Sequence, residues 1–270
     1  MAAEAPRFGV AGYPVAHSRS PRMHSAAYVE LGIDATYQLL PIPPELFAET
    51  VRALPGSGYR GINVTIPHKH AAAELADARS AAVEAIGAAN TLTFSGGEIR
   101  ADNTDAPGLI AALGGALADR SALVLGAGGT ARAAVWALKD SGAEVSIHNR
   151  TAERAAKLAD EFGADLVFDV DGGAGFDLIV NTTAVGMDAD FDEDRVLTAL
   201  GLDLAAIEPA ATIVDFVYRD GGSPLTAAAR AHGLRVVDGA ELLARQGALS
   251  FELWFDRPAP LATMQAVIAE

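Results

Sequence analysis

Residues 124–131 read V-L-G-A-G-G-T-A, and this segment is the strongest indication of the fold. It has the spacing G-x-G-x-x-A, directly after the apolar run 122–125 and directly before a helical pattern over residues 130–140. A strand, a glycine turn and a helix in this order are typical of the phosphate-binding turn of a dinucleotide-binding βαβ unit.

Each small residue of the turn has a physical role. Gly126 permits the tight turn, Gly128 lets the backbone approach a pyrophosphate, and Ala131 keeps the helix close to the sheet. The alternative is a glycine-rich turn that only connects a strand to a helix. If the turn binds a diphosphate at the helix N-terminus, its binding residues are Gly126, Ala127, Gly128, Gly129 and Thr130.

The end of the next predicted strand, residues 144–147, bears on the choice of cofactor. A free ribose 2′-hydroxyl calls for Asp or Glu about 20 residues after the glycine turn. Here the strand is followed by Asn149, Arg150 and Thr151, with Arg154 one turn later. Because an arginine grips a phosphate through its planar fork, this segment favours NADP over NAD, although Arg150 alone is also compatible with a solvated helix start.

On both sides of the glycine turn, short apolar runs alternate with helical patterns along most of the chain. This alternation predicts an α/β protein with mainly parallel sheets. From 122–125 to 235–237 the order is that of a doubly wound Rossmann domain, in which we expect a helix over residues 193–206. Upstream we expect a helix over 107–117 and several strands, two of which, 91–94 and 99–101, form a hairpin.

After residue 238 the pattern is helical to residue 269, with no downstream strand to continue the sheet. We therefore expect this segment to fold back on the first part of the chain. The predicted architecture has two domains with a cleft between them. Residues 1–105 and 238–270 form a substrate-binding α/β domain, and residues 106–237 form the dinucleotide-binding domain.

Composition excludes several classes of function. The chain has 270 residues, 20 Lys and Arg against 35 Asp and Glu, a formal charge of −15 and no cysteine. This charge opposes nucleic-acid binding, and the lack of cysteine excludes disulfides and thiolate metal sites. No long apolar run or signal-peptide pattern is present, so we expect a soluble cytoplasmic protein with a small-molecule substrate and no membrane partner, either a monomer or a homodimer.

Polar residues cluster where the first predicted sheet ends. Ser18 and Ser20 precede a helix that begins near Pro21, so they are candidates for binding a carboxylate, with an ordinary N-cap at Ser20 as the alternative. Lys69 stands at the start of a helix, where the macrodipole disfavours a cation, and is therefore a candidate for proton transfer.

Because His68 and His70 face different directions on a helix, they predict no metal site.

Seven motifs in register resemble the shikimate dehydrogenase family over nearly the whole chain. They are S-R-S-P at 18–21, N-V-T-I-P-H-K at 63–69, A-N-T at 89–91, D-N-T-D at 102–105, G-A-G-G at 126–129, N-R-T at 149–151, and Gln246 in L-L-A-R-Q-G. The resemblance implies reversible NADPH-linked reduction of 3-dehydroshikimate to shikimate, a step of aromatic amino-acid biosynthesis.

The same resemblance assigns roles to individual residues. Lys69 and Asp105 would be the catalytic pair. The hydroxyls of Ser18, Ser20 and Tyr218 would bind the substrate carboxylate, and the residues reading the ring hydroxyls would be Thr65, Asn90 and Gln246. Residues on the nicotinamide side of the cofactor would be Phe216, Gly239 and the segment 181–183.

The sequence leaves alternative functions open. A quinate/shikimate or aminoshikimate dehydrogenase of the same architecture stays open, although Arg150 disfavours an NAD-linked quinate enzyme. A non-catalytic NADPH-binding sensor is the alternative from another class, and it would have no need of Lys69 and Asp105.

Overall fold

A computed structural model describes residues 5–219 and 221–269, and the chain divides into two compact units. The first unit comprises Met1–Gly108 and Leu243–Glu270, and the second comprises Leu109–Leu242. The chain leaves the first unit within one helix and returns to it within another. The predicted α/β class with a Rossmann domain is confirmed.

The first unit contains a mixed six-stranded sheet in the order β2-β1-β3-β5-β6-β4. Its strands are β1 (Arg7–Gly12), β2 (Thr36–Pro41), β3 (Tyr59–Val64), β4 (Ala78–Arg79), β5 (Thr91–Ser95) and β6 (Glu98–Asp102). β1 runs parallel to β2 and β3, whereas β5 is antiparallel to both β3 and β6. The predicted hairpin is therefore present as β5 and β6, joined by Gly96 and Gly97 with positive φ.

The helices of the first unit pack on both faces of this sheet. They are α1 (Ser20–Glu30), α2 (Phe47–Ala53), α3 (Lys69–Leu75), α4 (Ala81–Ile86), the start of α5 (Asp105–Leu113), most of α10 (Gly239–Phe255), and α11 (Leu261–Ala269). One apolar cluster contains Phe47, Ile62 and Leu92, and a second, aromatic one contains Phe8 and Trp254.

The second unit contains a fully parallel sheet in the order β12-β11-β10-β7-β8-β9. Its strands are β7 (Ser121–Leu125), β8 (Glu144–His148), β9 (Asp165–Leu166), β10 (Leu178–Asn181), β11 (Thr212–Asp215) and β12 (Arg235–Val237). Its helices, besides the shared α5 and α10, are α6 (Gly129–Asp140), α7 (Ala152–Phe162), α8 (Glu193–Leu200) and α9 (Pro224–Ala231). Strand order reverses between β7 and β10, and ligands of such sheets bind at the carboxyl ends of the strands beside this reversal.

Two predicted helices are wrong at their C-terminal ends. The helix expected over 193–206 ends at Leu200, because Gly201 adopts a left-handed conformation with φ of 69°. The helix expected over 107–117 begins at Asp105 and ends at Leu113, before Gly114 and Gly115, which both have positive φ. In both places glycine ends the helix although apolar residues continue beyond it.

Candidate active site

Lys69 and Asp105 form an ion pair at the starts of two helices. Lys69 is the first residue of α3 and Asp105 the first of α5, and Nζ lies 2.7 Å from Oδ2. Their side chains are only 11% and 8% exposed. A charge-assisted hydrogen bond of this length, largely withdrawn from water, fixes the ammonium beside the carboxylate.

Asn90 holds the other oxygen of Asp105. Its Nδ2 donates to Asp105 Oδ1 at 2.9 Å, and its Oδ1 accepts the backbone N–H of Thr104 at 2.7 Å. Because a backbone N–H can only donate, this second bond determines which end of the amide faces the carboxylate. The two oxygens of Asp105 therefore have different donors, Lys69 on Oδ2 and Asn90 on Oδ1.

A buried polar chain lies behind Asn90. Asn63 accepts the hydroxyl of Tyr37 at 2.8 Å and donates to the backbone carbonyl of Asn90 at 3.2 Å and to Ser250 Oγ at 2.7 Å. Ser250 in turn donates to the backbone carbonyl of Gln246 at 3.0 Å. Since every one of these groups has a partner, the network supports the geometry of Asn90 without leaving its buried polar atoms unsatisfied.

Gln246 is joined directly to this cluster. Its Oε1 accepts from Asn90 Nδ2 at 3.2 Å, and its Nε2 donates to the carbonyl of Leu243 at 2.8 Å. The structure thus joins Lys69, Asn90, Asp105 and Gln246, all singled out from sequence, in one hydrogen-bonded cluster.

Ser18 and Thr65 lie on loops of the first unit, and Ser20 is the first residue of α1. Thr65 follows β3, and its N–H donates to the carbonyl of Ala11 in β1 at 2.8 Å. Ser18 Oγ accepts the N–H of Ser20 at 3.3 Å. The N-cap position of α1 is Arg19, without a side-chain cap, so the alternative interpretation of Ser20 as an ordinary N-cap is wrong. His68 Nε2 lies 2.8 Å from the carbonyl oxygen of Ile42, and His70 Nδ1 lies 3.0 Å from that of Gly87.

In the second unit, the glycine turn lies beside the reversal of strand order. Gly126 follows β7 with φ of 118°, and a Cβ placed on it would lie 2.4 Å from Thr182 Oγ1, just after β10. Only glycine fits this position. Gly128, the N-cap of α6, is exposed, and a Cβ on it would have no heavy atom within 4 Å. The turn therefore presents open space at the N-terminus of α6, which is the arrangement a diphosphate requires.

The arginines predicted to bind a 2′-phosphate follow β8. Arg150 and Arg154 are exposed, and neither guanidinium has an ion-pair partner among residues 5–219 and 221–269. Asn149 Nδ2 donates to the carbonyl of Thr151 at 2.9 Å, and the N–H of Arg154 donates to the same carbonyl at 3.1 Å. The segment is thus folded into a tight turn that leaves two cations available to an anion.

Phe216, Tyr218 and Gly239 lie close together at the carboxyl edge of the same sheet. A Cβ on Gly239 would lie 2.4 Å from the carbonyl oxygen of Val217 and 3.0 Å from the N–H nitrogen of Tyr218. Phe216 donates its N–H to the carbonyl of Asn181 at 3.0 Å. These contacts join the end of β11, the end of β10 and the start of α10.

Sequence reasoning did not single out Tyr37 and Ser250. Tyr37 is buried on a strand whose other residues are mostly exposed, and Ser250 is a buried hydroxyl in an apolar stretch of α10. A polar residue at a position that the helical pattern assigns to the core was the available signal for Ser250.

A parallel sheet in this order, with a glycine turn beside its strand reversal, defines a dinucleotide-binding α/β protein. Three family models match the chain: the shikimate dehydrogenase substrate binding domain over residues 10–92, shikimate/quinate 5-dehydrogenase over 109–171, and the shikimate 5′-dehydrogenase C-terminal domain over 239–268. The chain belongs to the shikimate dehydrogenase family.

Individual proteins of the family are similar to this chain over nearly its full length. The chain is similar to shikimate dehydrogenase (NADP(+)) of Methylobacterium radiotolerans, with 45% identity over 97% of this chain and 95% of that protein. The crystal structure of shikimate 5-dehydrogenase from Thermus thermophilus in complex with NADP(H) and shikimate matches with a TM-score of 0.87 and 38% identity, covering 98% of both chains. Shikimate dehydrogenase from Aquifex aeolicus matches with a TM-score of 0.91 and 31% identity over 100% of both chains.

Within the described residues, no helix has the length and apolar character needed to cross a membrane.

Proposed function

We propose that this protein is an NADP-dependent shikimate dehydrogenase, which reversibly reduces 3-dehydroshikimate to shikimate. The observation that carries the proposal is the Lys69–Asp105 ion pair, 2.7 Å long and largely buried, in a chain 45% identical to a relative named for this activity. A protein that only sensed the cofactor would have no use for a positioned proton donor beside a carboxylate.

Lys69 moves the proton of the reaction. Reduction of a ketone leaves negative charge on its oxygen, and the ammonium of Lys69 donates a proton to that oxygen. In the oxidative direction the neutral amine takes the proton back from the hydroxyl. Asp105 stabilises the ammonium and holds Nζ in one place, so that the proton is transferred along a defined direction.

The remaining predicted residues recognise the substrate. We assign the substrate carboxylate to the hydroxyls of Ser18, Ser20 and Tyr218, and the ring hydroxyls to Thr65, Asn90 and Gln246. Because the formal charge of the protein is −15, an anionic substrate must be bound by local donors, and hydroxyls and amides supply them without adding charge.

The dinucleotide is assigned to the second unit. When bound, NADPH supplies the hydride for the reduction. The turn residues Gly126, Ala127, Gly128, Gly129 and Thr130 would hold the pyrophosphate, and Asn149, Arg150, Thr151 and Arg154 the adenosine 2′-phosphate. Phe216 and Gly239 would line the nicotinamide side. The open space beside Gly128 and the two exposed guanidiniums fit these groups.

The proposal divides the chain by role. Residues 1–105 and 238–270 would form the substrate-binding domain, and residues 106–237 the dinucleotide-binding domain. The place of action would be the cytoplasm, and the protein would act as a monomer or a homodimer.

Absorbance at the reduced-nicotinamide band tests the proposal, with shikimate or quinate and NADP or NAD in all four combinations. We expect turnover chiefly with shikimate and NADP. Comparable or faster turnover with quinate would identify a quinate/shikimate enzyme instead. No turnover in any combination, with NADPH still bound, would support the sensor alternative and contradict the proposal.

A further inference from the structure

Asp215 is a buried carboxylate that the proposed reaction does not use. It lies at the carboxyl end of β11 and has no solvent exposure. Its Oδ1 accepts hydrogen bonds from Asn181 Nδ2 at 2.9 Å and from the N–H of Val217 at 3.0 Å. Its Oδ2 accepts the hydroxyl of Ser223 at 2.5 Å. A buried polar group is costly in free energy unless it is hydrogen-bonded, and both oxygens of Asp215 have donors.

One oxygen of Asp215 joins two segments of chain that carry predicted cofactor and substrate contacts. Asn181 begins the segment 181–183, and its own Oδ1 accepts the N–H and the hydroxyl of Thr183 at 3.0 and 2.7 Å. Val217 is the middle of the segment 216–218. Oδ1 of Asp215 therefore connects these two segments, beside the backbone hydrogen bond from the N–H of Phe216 to the carbonyl of Asn181.

The segment 216–218 is also fixed from its other side. Gly239 packs so closely that a Cβ there would lie 2.4 Å from the carbonyl oxygen of Val217. With Asp215 on one side and Gly239 on the other, the backbone at Val217 has little freedom to shift. The two side chains that flank it, Phe216 and Tyr218, are placed accordingly.

We propose that Asp215 is a positioning residue, whose Oδ1 sets the placement of Thr183 and Phe216 for the nicotinamide end of the dinucleotide and of Tyr218 for the substrate carboxylate. This inference rests on the proposed function. It assigns Asp215 no contact with substrate or cofactor, because the carboxylate acts only through Asn181 and the backbone of Val217.

The geometry also implies that positioning does not require the charge. Burial, with a smaller contribution from the charge of Asp238, raises the pKa of Asp215 to about 6, although the hydrogen bonds from Ser223, Val217 and Asn181 act in the opposite direction. A proton on Oδ2 would be donated to Ser223 Oγ, whose hydroxyl would then turn to Thr226 Oγ1, 3.1 Å away. Oδ1 keeps both of its bonds in either state. Asparagine at position 215 reproduces the neutral acid.

The test compares three variants. Asp215→Ala removes both hydrogen bonds to Oδ1, whereas Asp215→Asn keeps the Oδ1 atom. Ser223→Ala is the matched control. Ser223 Oγ is the N-cap of α9, so its loss lowers stability without touching Oδ1 of Asp215. NADPH affinity is measured by titration of nicotinamide fluorescence. The amide hydrogen exchange of Thr183 reports whether its N–H still donates to Asn181 Oδ1.

We expect Asp215→Ala to weaken NADPH binding by about tenfold, the size of a lost hydrogen bond, and to speed exchange at Thr183. Asp215→Asn and Ser223→Ala should keep wild-type affinity and exchange. If Asp215→Ala does not fold, Asn181→Ala removes the hydrogen bond between Asn181 and Asp215 Oδ1 from the side of Asn181. It should likewise weaken NADPH binding and speed exchange at Thr183.

Three outcomes would overturn the inference. The first is wild-type NADPH affinity in Asp215→Ala, or in Asn181→Ala where that variant takes its place. The second is a loss of NADPH affinity in Asp215→Asn as large as in Asp215→Ala, and the third is the same loss of affinity and the same faster exchange at Thr183 in Ser223→Ala. Because binding and exchange need no turnover, failure of the proposed function would show separately, as a wild-type protein that binds NADPH but does not oxidise shikimate.

Discussion

Nζ of Lys69 lies 2.7 Å from Oδ2 of Asp105, although the two residues are 36 positions apart in the sequence. Each begins a helix, and the opposite oxygen of Asp105 is held by Asn90 at 2.9 Å. The carboxylate therefore cannot rotate away from the ammonium without breaking a second hydrogen bond. This arrangement predicts a proton donor whose position is fixed before the substrate arrives.

Replacing Asp105 by Asn should lower turnover strongly. The amide keeps the shape of the side chain but leaves the ammonium of Lys69 without its counter-charge, so we expect kcat to fall by about 10²-fold or more. Steady-state rates with shikimate and NADP measure it. Asp102→Asn is the control, because Asp102 is also largely buried and ion-paired, with Arg100 at 3.3 Å. An equal loss in both variants would contradict the role of Asp105.

Replacing Arg150 by Ala should weaken the preference for NADP. Loss of a charged hydrogen-bond donor to the 2′-phosphate should raise KM for NADP about ten- to hundredfold and leave KM for NAD unchanged. The measurement is the ratio of kcat/KM values for the two cofactors. Lys157→Ala removes an exposed cation from α7, the helix that follows Arg150, and should leave the ratio unchanged. An unaltered ratio in Arg150→Ala would show that other groups select the cofactor.

Two glycines of the phosphate turn should respond differently to alanine. At Gly126, with φ of 118°, a Cβ would meet Thr182 Oγ1, so Gly126→Ala should lower the free energy of unfolding by about 1–3 kcal/mol. At Gly128 the backbone is extended and a Cβ meets nothing within 4 Å. We expect Gly128→Ala to keep the wild-type Tm while NADPH affinity falls by about tenfold or more. Unimpaired NADPH binding by Gly128→Ala would contradict the placement of the pyrophosphate.

His24 should make the protein acid-sensitive. It is fully buried in the first unit, stacked on Tyr37 with ring centroids 4.3 Å apart, and neither ring nitrogen has a hydrogen-bond partner among the described residues. Burial lowers the pKa of His24 from 6.5 to about 3. The unfolded state therefore binds the proton more readily, so this contribution to stability is complete above pH 6.5 and is lost as the pH falls toward 3.

For that reason His24→Phe should reduce the loss of unfolding free energy between pH 7 and pH 4 by about 3 kcal/mol. Denaturant unfolding at the two pH values measures the difference. His232→Gln, which removes an exposed histidine, is the control variant measured beside it. An identical pH dependence in wild type and His24→Phe would show that His24 does not remain neutral in the folded protein.

The Rossmann part of the fold could be predicted because its determinants are local. The glycine spacing at 126–131 and the apolar strand before it specify a strand, a turn and a helix without reference to the rest of the chain. The end of α8 could not be predicted in this way. Beyond Gly201, Leu202, Leu204 and Ile207 are buried in the core, so their apolar pattern continues although the helix does not.

The candidate site was predictable as a set of residue types and not as a network. Ser18, Lys69 and Asp105 lie in polar motifs beside predicted element ends, which marked them without any structure. The bonds through Asn63 and Ser250 join positions 187 residues apart and depend on how α10 packs against the sheet. Only the folded chain brings them together, as it does Asp215 and Asn181.

The role of Lys69 is tested by the rate of NADP reduction by shikimate in wild type and in Lys69→Ala, with NADPH affinity measured on the same preparations. We expect steady turnover in wild type, a turnover about 10²–10⁴-fold lower in Lys69→Ala, and equal NADPH affinity in both. Near-normal turnover in Lys69→Ala would mean that another group transfers the proton, and the assignment of the Lys69–Asp105 pair would be wrong.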